Sequence, residues 1–185
     1  MSGREKILQS VRANRPPSEE LPAEWNLPGQ AIDPMDQFTF HLEAIGGVAR
    51  FFESKSLAIA ALSELSHDLL IRDLVRGIGL EDSDLEPDIT VVEARAAVAE
   101  NAAVYITDQE AIERNYLFLG QKLIALVSRQ TLLSDMHEAY EKIDLTSTGF
   151  GIFIAGPSAT ADIAQILVRG AHGPSEMEVW VYVND

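Results

Sequence analysis

The chain contains no cysteine. It therefore has no disulfide framework, no thiolate zinc site and no iron–sulfur cluster of its own, which suits a cytoplasmic protein. It also lacks any apolar run near the roughly 20 residues that a membrane span needs. The opening MSGREKILQSVRANRPP has none of the apolar core of a secretory signal. Positive charge is scarce: 14 Lys and Arg stand against 29 Asp and Glu, a net charge of −15. A body of that sign repels phosphate backbones, so broad nucleic-acid binding is excluded. No GxGxxG precedes a helical pattern, and no Lys follows the glycines of GPSAT, so the dinucleotide and Walker A fingerprints are absent. The acidic run from Glu81 through Asp82, Asp84 and Glu86 to Asp88 lacks the spacing and the Gly of an EF-hand and reads as a solvated loop. His41, His67 and His137 have no ligand spacing to a second histidine or a carboxylate pair.

The remaining composition is that of a folded domain. Of 185 residues, 46% are hydrophobic, enough for one core with an extra arm. Residues 1–33 form the arm. Ile7, Leu8 and Val11 recur at helical spacing beside Arg4, Lys6, Arg12 and Arg15, which only Glu5 opposes. A basic helix of this kind can dock on its own domain, on a second copy or on an acidic partner, or it can stay solvated. A Pro-rich stretch with Trp25 as an anchor follows.

Residues 34–185 alternate between strand and helix patterns. Asp33-Pro34 reads as a cap and first position of a helix that stops at Gly46-Gly47. VARFF (48–52) is a strand, and Ser54 opens a helix. Strands are expected at 68–73, 88–94, 102–107, up to Ser128, at 150–156 and at 177–183. Helical segments are expected at 94–100, 131–142 and 158–169. Such alternation predicts an α/β fold built of βαβ units around a mostly parallel sheet covered on both faces, with LIALV and FGIFIA buried on both sides. Trp180 and Tyr182 share one face of the last strand and Val179, Val181 and Val183 the other. If that strand is an edge, it is a candidate dimer contact.

The most informative stretch is FIAGPSATADIAQILVRGAHGPSEMEVWVYV (153–183). Ser158 reads as the cap of the 158–169 helix, with Ile163, Ile166 and Leu167 as its buried stripe. Arg169 would lie in its last turn and Gly170 just beyond. A helix N-terminus at the carboxyl end of a parallel strand is a site for a small anion. A well-capped helix without a ligand is the other reading. Asp162 in the first turn would repel an anion, so it takes a ligand hydroxyl or complements the helix dipole. A Ser158–His172–Asp162 triad is excluded on this reading, because the helix would hold Ser158 and His172 roughly 15–18 Å apart.

GPSATADI and LVRGAHGP (156–163 and 167–174) resemble the closing signature of the lactate-utilisation protein C family, also called the LUD domain. AAVAEN (96–101) is similar to that family's Ala-Ile-Ala-Glu-Thr-Gly segment, and REKILQSVRA (4–13) looks like its opening helix. The resemblance implies a three-layer α/β/α fold, similar to ribose-5-phosphate isomerase and CoA transferases. It also implies a role in oxidising L-lactate to pyruvate beside partner subunits that carry the iron–sulfur clusters. Together, the turn and the resemblance single out Glu100, Gly156, Ser158, Thr160, Asp162, His172 and Gly173 as ligand-site candidates, with no cofactor bound by this chain. Three positions depart from the family: Ala159 where it usually has Arg, Asn101-Ala102 where it has Thr-Gly, and Gly120-Gln121-Lys122-Leu123 where it tends to show Pro-Pro-x-His. Loss of the Arg removes a bidentate anion contact, and loss of the His removes a proton carrier. Three functions stay open: an accessory subunit in lactate oxidation, a stand-alone binding protein or enzyme for a small phosphorylated or carboxylated metabolite, and a degenerate scaffold.

Overall fold

A computed structural model describes residues 2–17, 33–65, 69–79, 86–111, 113–144, 148–161 and 165–184. The readings placed on Trp25, His67, Glu81, Asp82, Asp84, Asp162 and Ile163 lie outside these residues. The chain divides into two units, Met1–Ala31 and Ile32–Asp185. In the first, α1 (Gly3–Ala13) carries a capping box. Ser2 accepts from the Glu5 N–H, and the Glu5 carboxylate accepts from the Ser2 N–H.

In the second unit, α2 (Pro34–Ala44) starts as the sequence predicts, with the Asp33 carboxylate accepting from the Met35 N–H and Pro34 at the first position. The following elements build a five-stranded parallel sheet. Its strands are β1 (Val48–Ser54), β2 (Ile71–Asp73), β3 (Ile89–Ala94), β6 (Lys122–Ser128) and β11 (Glu176–Asn184), in the order β1-β11-β6-β3-β2. A second sheet contains β4 (Ala96–Val98), β5 (Ala103–Thr107), β7 (Leu132–Leu133) and β8 (Gly151–Ala155), in the order β7-β4-β5-β8. Its pairings are antiparallel except β4 with β7.

The layers follow from period-2 burial. One face of the parallel sheet presents Val92, Leu123, Ala125, Val127, Val179 and Val181 to α2, to α4 (Tyr116–Leu119) and to the inner face of the second sheet. The other presents Ile89, Val91, Ile124, Leu126, Trp180 and Tyr182 to α3 (Lys55–Leu62). The outer face of the second sheet packs Ala96, Val98 and Tyr105 against α5 (Met136–Lys142). The α/β class and the parallel central sheet flanked by helices are as expected. Leu123 to Val127 are at most 1% exposed, so this run of β6 is buried on both faces. Each of the Leu, Ile and Val side chains in this run contributes about 1.5–3 kcal/mol by leaving water.

Four local expectations are corrected. Residues 96–98 form strand β4, not a helical turn, because pairing with β5 and β7 overrides the helix preference of an Ala-rich segment. FGIFIA is not buried on both sides: β8 is the half-exposed edge of the second sheet. β11 is not an edge strand, because it lies between β1 and β6. The 158–169 helix is replaced by a two-stranded antiparallel ribbon, β9 (Ala159–Thr160) with β10 (Val168–Arg169). The described members of the expected buried stripe are on the surface, with Ile166 66% and Leu167 60% exposed.

One buried carboxylate ties the sheet together near its amino edge. Glu178 accepts from Arg50 Nε at 2.7 Å, from Lys122 Nζ at 3.1 Å and from Trp180 Nε1 at 2.8 Å. Burial raises its pKa, but the hydrogen bonds from Trp180, Lys122 and Arg50 outweigh that and hold it below the usual 4.5. A carboxylate depressed on folding stabilises fully above its unfolded pKa and loses that contribution as pH falls through the folded value. Glu178→Gln is therefore expected to lower stability near neutral pH by about 1–2 kcal/mol, below the full cost of breaking a buried pair because Arg50 is largely solvated. Urea unfolding across pH should show this deficit shrinking below about pH 4.5.

Candidate functional site

Two cavities of similar size lie at opposite edges of the parallel sheet. The first is the one the sequence motif points to. About 480 Å³ in volume, it is lined by residues 152–159, by His172, Gly173 and Pro174, and by Ile45, Leu117, Phe118, Leu123 and Met177. Leu123 and Met177 are the second residues of β6 and β11, so this cavity sits at the amino edge of the parallel strands. Gly156 turns the chain out of β8 with φ +68°, close against Ile45. The Ser158 N–H donates to the Pro174 carbonyl at 2.8 Å, and the Ser158 carbonyl accepts from the Gly170 N–H at 2.9 Å. The ribbon thereby folds the His172 loop back over Ser158.

This geometry revises the candidate set. Gly156, Ser158, His172 and Gly173 line one cavity, and Thr160 follows on β9, paired with Val168. Asp162 lies outside the described residues. With no helix over 158–169, the exclusion of a Ser158–His172 pairing by helix length falls: the two residues share a hairpin and line the same space. The anion-binding helix N-terminus goes with that helix, and the Ser158 N–H is already spent on Pro174. Glu100 lies in the turn between β4 and β5. Its N–H donates to the Ser134 carbonyl, and its carboxylate accepts from the Met136 N–H at 3.1 Å, so it caps α5 rather than lining either cavity. Two of the three departures from the family, Ala159 and Leu123, fall on the wall of this cavity. They leave Ser158 and His172 as its polar side chains in an otherwise apolar lining.

The second cavity, about 470 Å³, was missed in the sequence. It is lined by Lys55, Glu93, Ala94, Arg95, Glu110, Ser128, Gln130, Thr131 and Tyr182. β1, β3, β6 and β11 all end here, so this is the carboxyl edge of the parallel sheet, where open α/β folds bind ligands. The chain crosses from the parallel sheet to the second sheet twice at this edge, at Arg95 after β3 and at the single 3₁₀ turn Arg129–Thr131 after β6. Glu93 Oε1 accepts from Lys55 Nζ at 2.6 Å and from the Tyr182 hydroxyl at 2.9 Å, and the Lys55 ammonium lies over the Tyr182 ring. Arg95 Nε donates to Glu110 Oε1 at 2.6 Å, while another of its N–H groups donates to Gln109 Oε1. Burial raises the Glu110 pKa, but hydrogen bonds from Thr107 and Arg95 more than offset this and hold it below its ordinary value. Glu110 is thus a fixed anion that orients Arg95. The signal in the sequence was a polar or charged residue at the end of each apolar strand: Ser54-Lys55, Glu93, Arg95 and Ser128. Among the described residues no group of three or more His, Asp or Glu is placed to hold a metal ion, and no helix is long and apolar enough to cross a membrane.

Residues 58–182 match the LUD domain. Lactate utilization protein C of Exiguobacterium sp. is 31% identical over 107 residues, covering 55% of this chain and 46% of that protein. Lactate utilization protein C of a Geobacillus species is 29% identical over 125 residues, 64% of this chain and 51% of that one. The matches thus span about half the length of these curated relatives. The crystal structure of a DUF162 family protein from Deinococcus radiodurans superposes with a TM-score of 0.60, covering 80% of this chain and 96% of that one at 14% identity, a likeness of fold. With the matched segment running from within α3 to Tyr182 in the last strand and taking in most of both cavities, the chain belongs to the LUD domain family.

Proposed function

We propose that this chain acts in lactate utilization, as an accessory subunit in the oxidation of L-lactate to pyruvate beside iron–sulfur partner proteins. The observation that carries the reading is the match to proteins named lactate utilization protein C. Oxidation of lactate removes two electrons and two protons. A chain without cysteine has no thiolates with which to hold an iron–sulfur cluster, so on this reading the clusters belong to partners. The apolar cavity beside Ser158 and His172 suits contact with a partner segment or positioning of a substrate better than charge-based catalysis. Affinity purification of the tagged chain from lactate-grown cells, with a visible spectrum of the eluate, tests this. Brown, iron-containing partners are expected. A colourless protein eluting alone would overturn the subunit assignment.

A further inference from the structure

We propose that the carboxyl-edge cavity binds a small oxyanion that carries a hydroxyl group beside its charged end. The donors and acceptors that the described residues leave over there define that ligand. Of the three N–H groups of the Lys55 ammonium, one is spent on Glu93. The guanidinium of Arg95 is held by Glu110 and Gln109 through Nε and Nη2, which leaves its Nη1 end uncommitted. Both oxygens of Glu110 are already engaged: Oε1 takes Arg95, and Oε2 takes both the N–H and the hydroxyl of Thr107. Glu93 is different, since Lys55 and Tyr182 both use Oε1 and leave Oε2 uncommitted. The space therefore presents two cations with surplus donors and one carboxylate oxygen in need of a donor. An oxyanion between Lys55 and Arg95, with its own hydroxyl directed to Glu93 Oε2, satisfies all three. An unhydroxylated anion would face Glu93 Oε2 without offering it a hydrogen bond.

Both a hydroxycarboxylate and a hydroxylated phosphate ester have this chemistry, and amide chemical shifts of the ¹⁵N-labelled full chain separate them. L-lactate and glycerol 3-phosphate are the probes, with acetate and inorganic phosphate as unhydroxylated controls. Saturable shifts are expected at residues 54–55, 93–95 and 128–131 with at least one hydroxylated probe, and the tighter of the two names the class. Each control should bind about tenfold more weakly, and Lys55→Gln or Arg95→Gln should each cost about tenfold in affinity or more, the size of one charge-assisted hydrogen bond. Both variants replace partly exposed ion-pair partners, so their melting temperatures should stay near that of the parent. The proposal fails if neither hydroxylated probe gives saturable shifts at these residues, or if the controls bind equally well. It also fails if the shifts appear at residues 156–159 and 172–174 instead, or if folded Lys55→Gln and Arg95→Gln bind as the parent does. Binding is read here without partners or growth, so a failure of the lactate role leaves this result standing, and the reverse.

Discussion

Trp180→Ala is expected to destabilise the chain by about 3–5 kcal/mol, the range for emptying a buried aromatic site. That would be a large part of the whole stability of an ordinary domain. Trp180 is 2% exposed in the core between the parallel sheet and α3. Its ring lies 5.0 Å from that of Phe52, and the Arg50 guanidinium covers its outer side. Removal leaves a cavity and also takes from Glu178 the shortest donor it has besides Arg50, so a buried carboxylate loses part of its compensation. Trp180→Phe separates the two effects. It keeps most of the ring volume, drops the N–H and should cost about 1–2 kcal/mol. Urea unfolding of the pair measures both, and a loss below 1 kcal/mol for the alanine variant would mean that α3 is not closed over this face. Because Trp180 and Glu178 share one hydrogen bond, their losses should combine non-additively.

Gly156→Ala is expected to cost about 2–3 kcal/mol, from two sources that act together. Its φ of +68° is one that a side chain disfavours, and an added Cβ would stand 2.7 Å from Ile45 Cδ1 and Cγ1. Ile45 is 39% exposed and can yield, which keeps the estimate from going higher. The turn also aims the chain from β8 into the ribbon, so the variant should shift amide signals at Ser158, His172 and Gly173 while leaving those of the carboxyl-edge cavity in place. Equal stability of the variant and parent would contradict the turn geometry.

Strong local signals explain what the sequence made legible. Asp33-Pro34 and Gly46-Gly47 bracket α2 with a side-chain cap and a break. LIALV reads as a buried strand because β6 is central in a parallel sheet and has no solvent face. The alternation of Trp180 and Tyr182 with Val179 and Val181 separates two cores that the structure keeps apart. Where it failed, non-local pairing decided the outcome. AAV at 96–98 has a helical composition, and its pairing with β5 and β7 makes it a strand. Ile166 and Leu167, which with Ile163 have helical spacing, lie exposed just before a ribbon strand set by hydrogen bonds of Ser158 to Gly170 and Pro174. The motif thus led to a real cavity through a wrong local structure. The carboxyl-edge cavity draws single residues from positions 55 to 182, and only strand order and direction bring them together.

The most direct test of the account's central claim is growth of a strain lacking this gene on L-lactate as sole carbon source, compared with growth on glucose. The account predicts a defect on L-lactate alone, reversed by the parent chain. Normal growth of the deletion strain on L-lactate would contradict it.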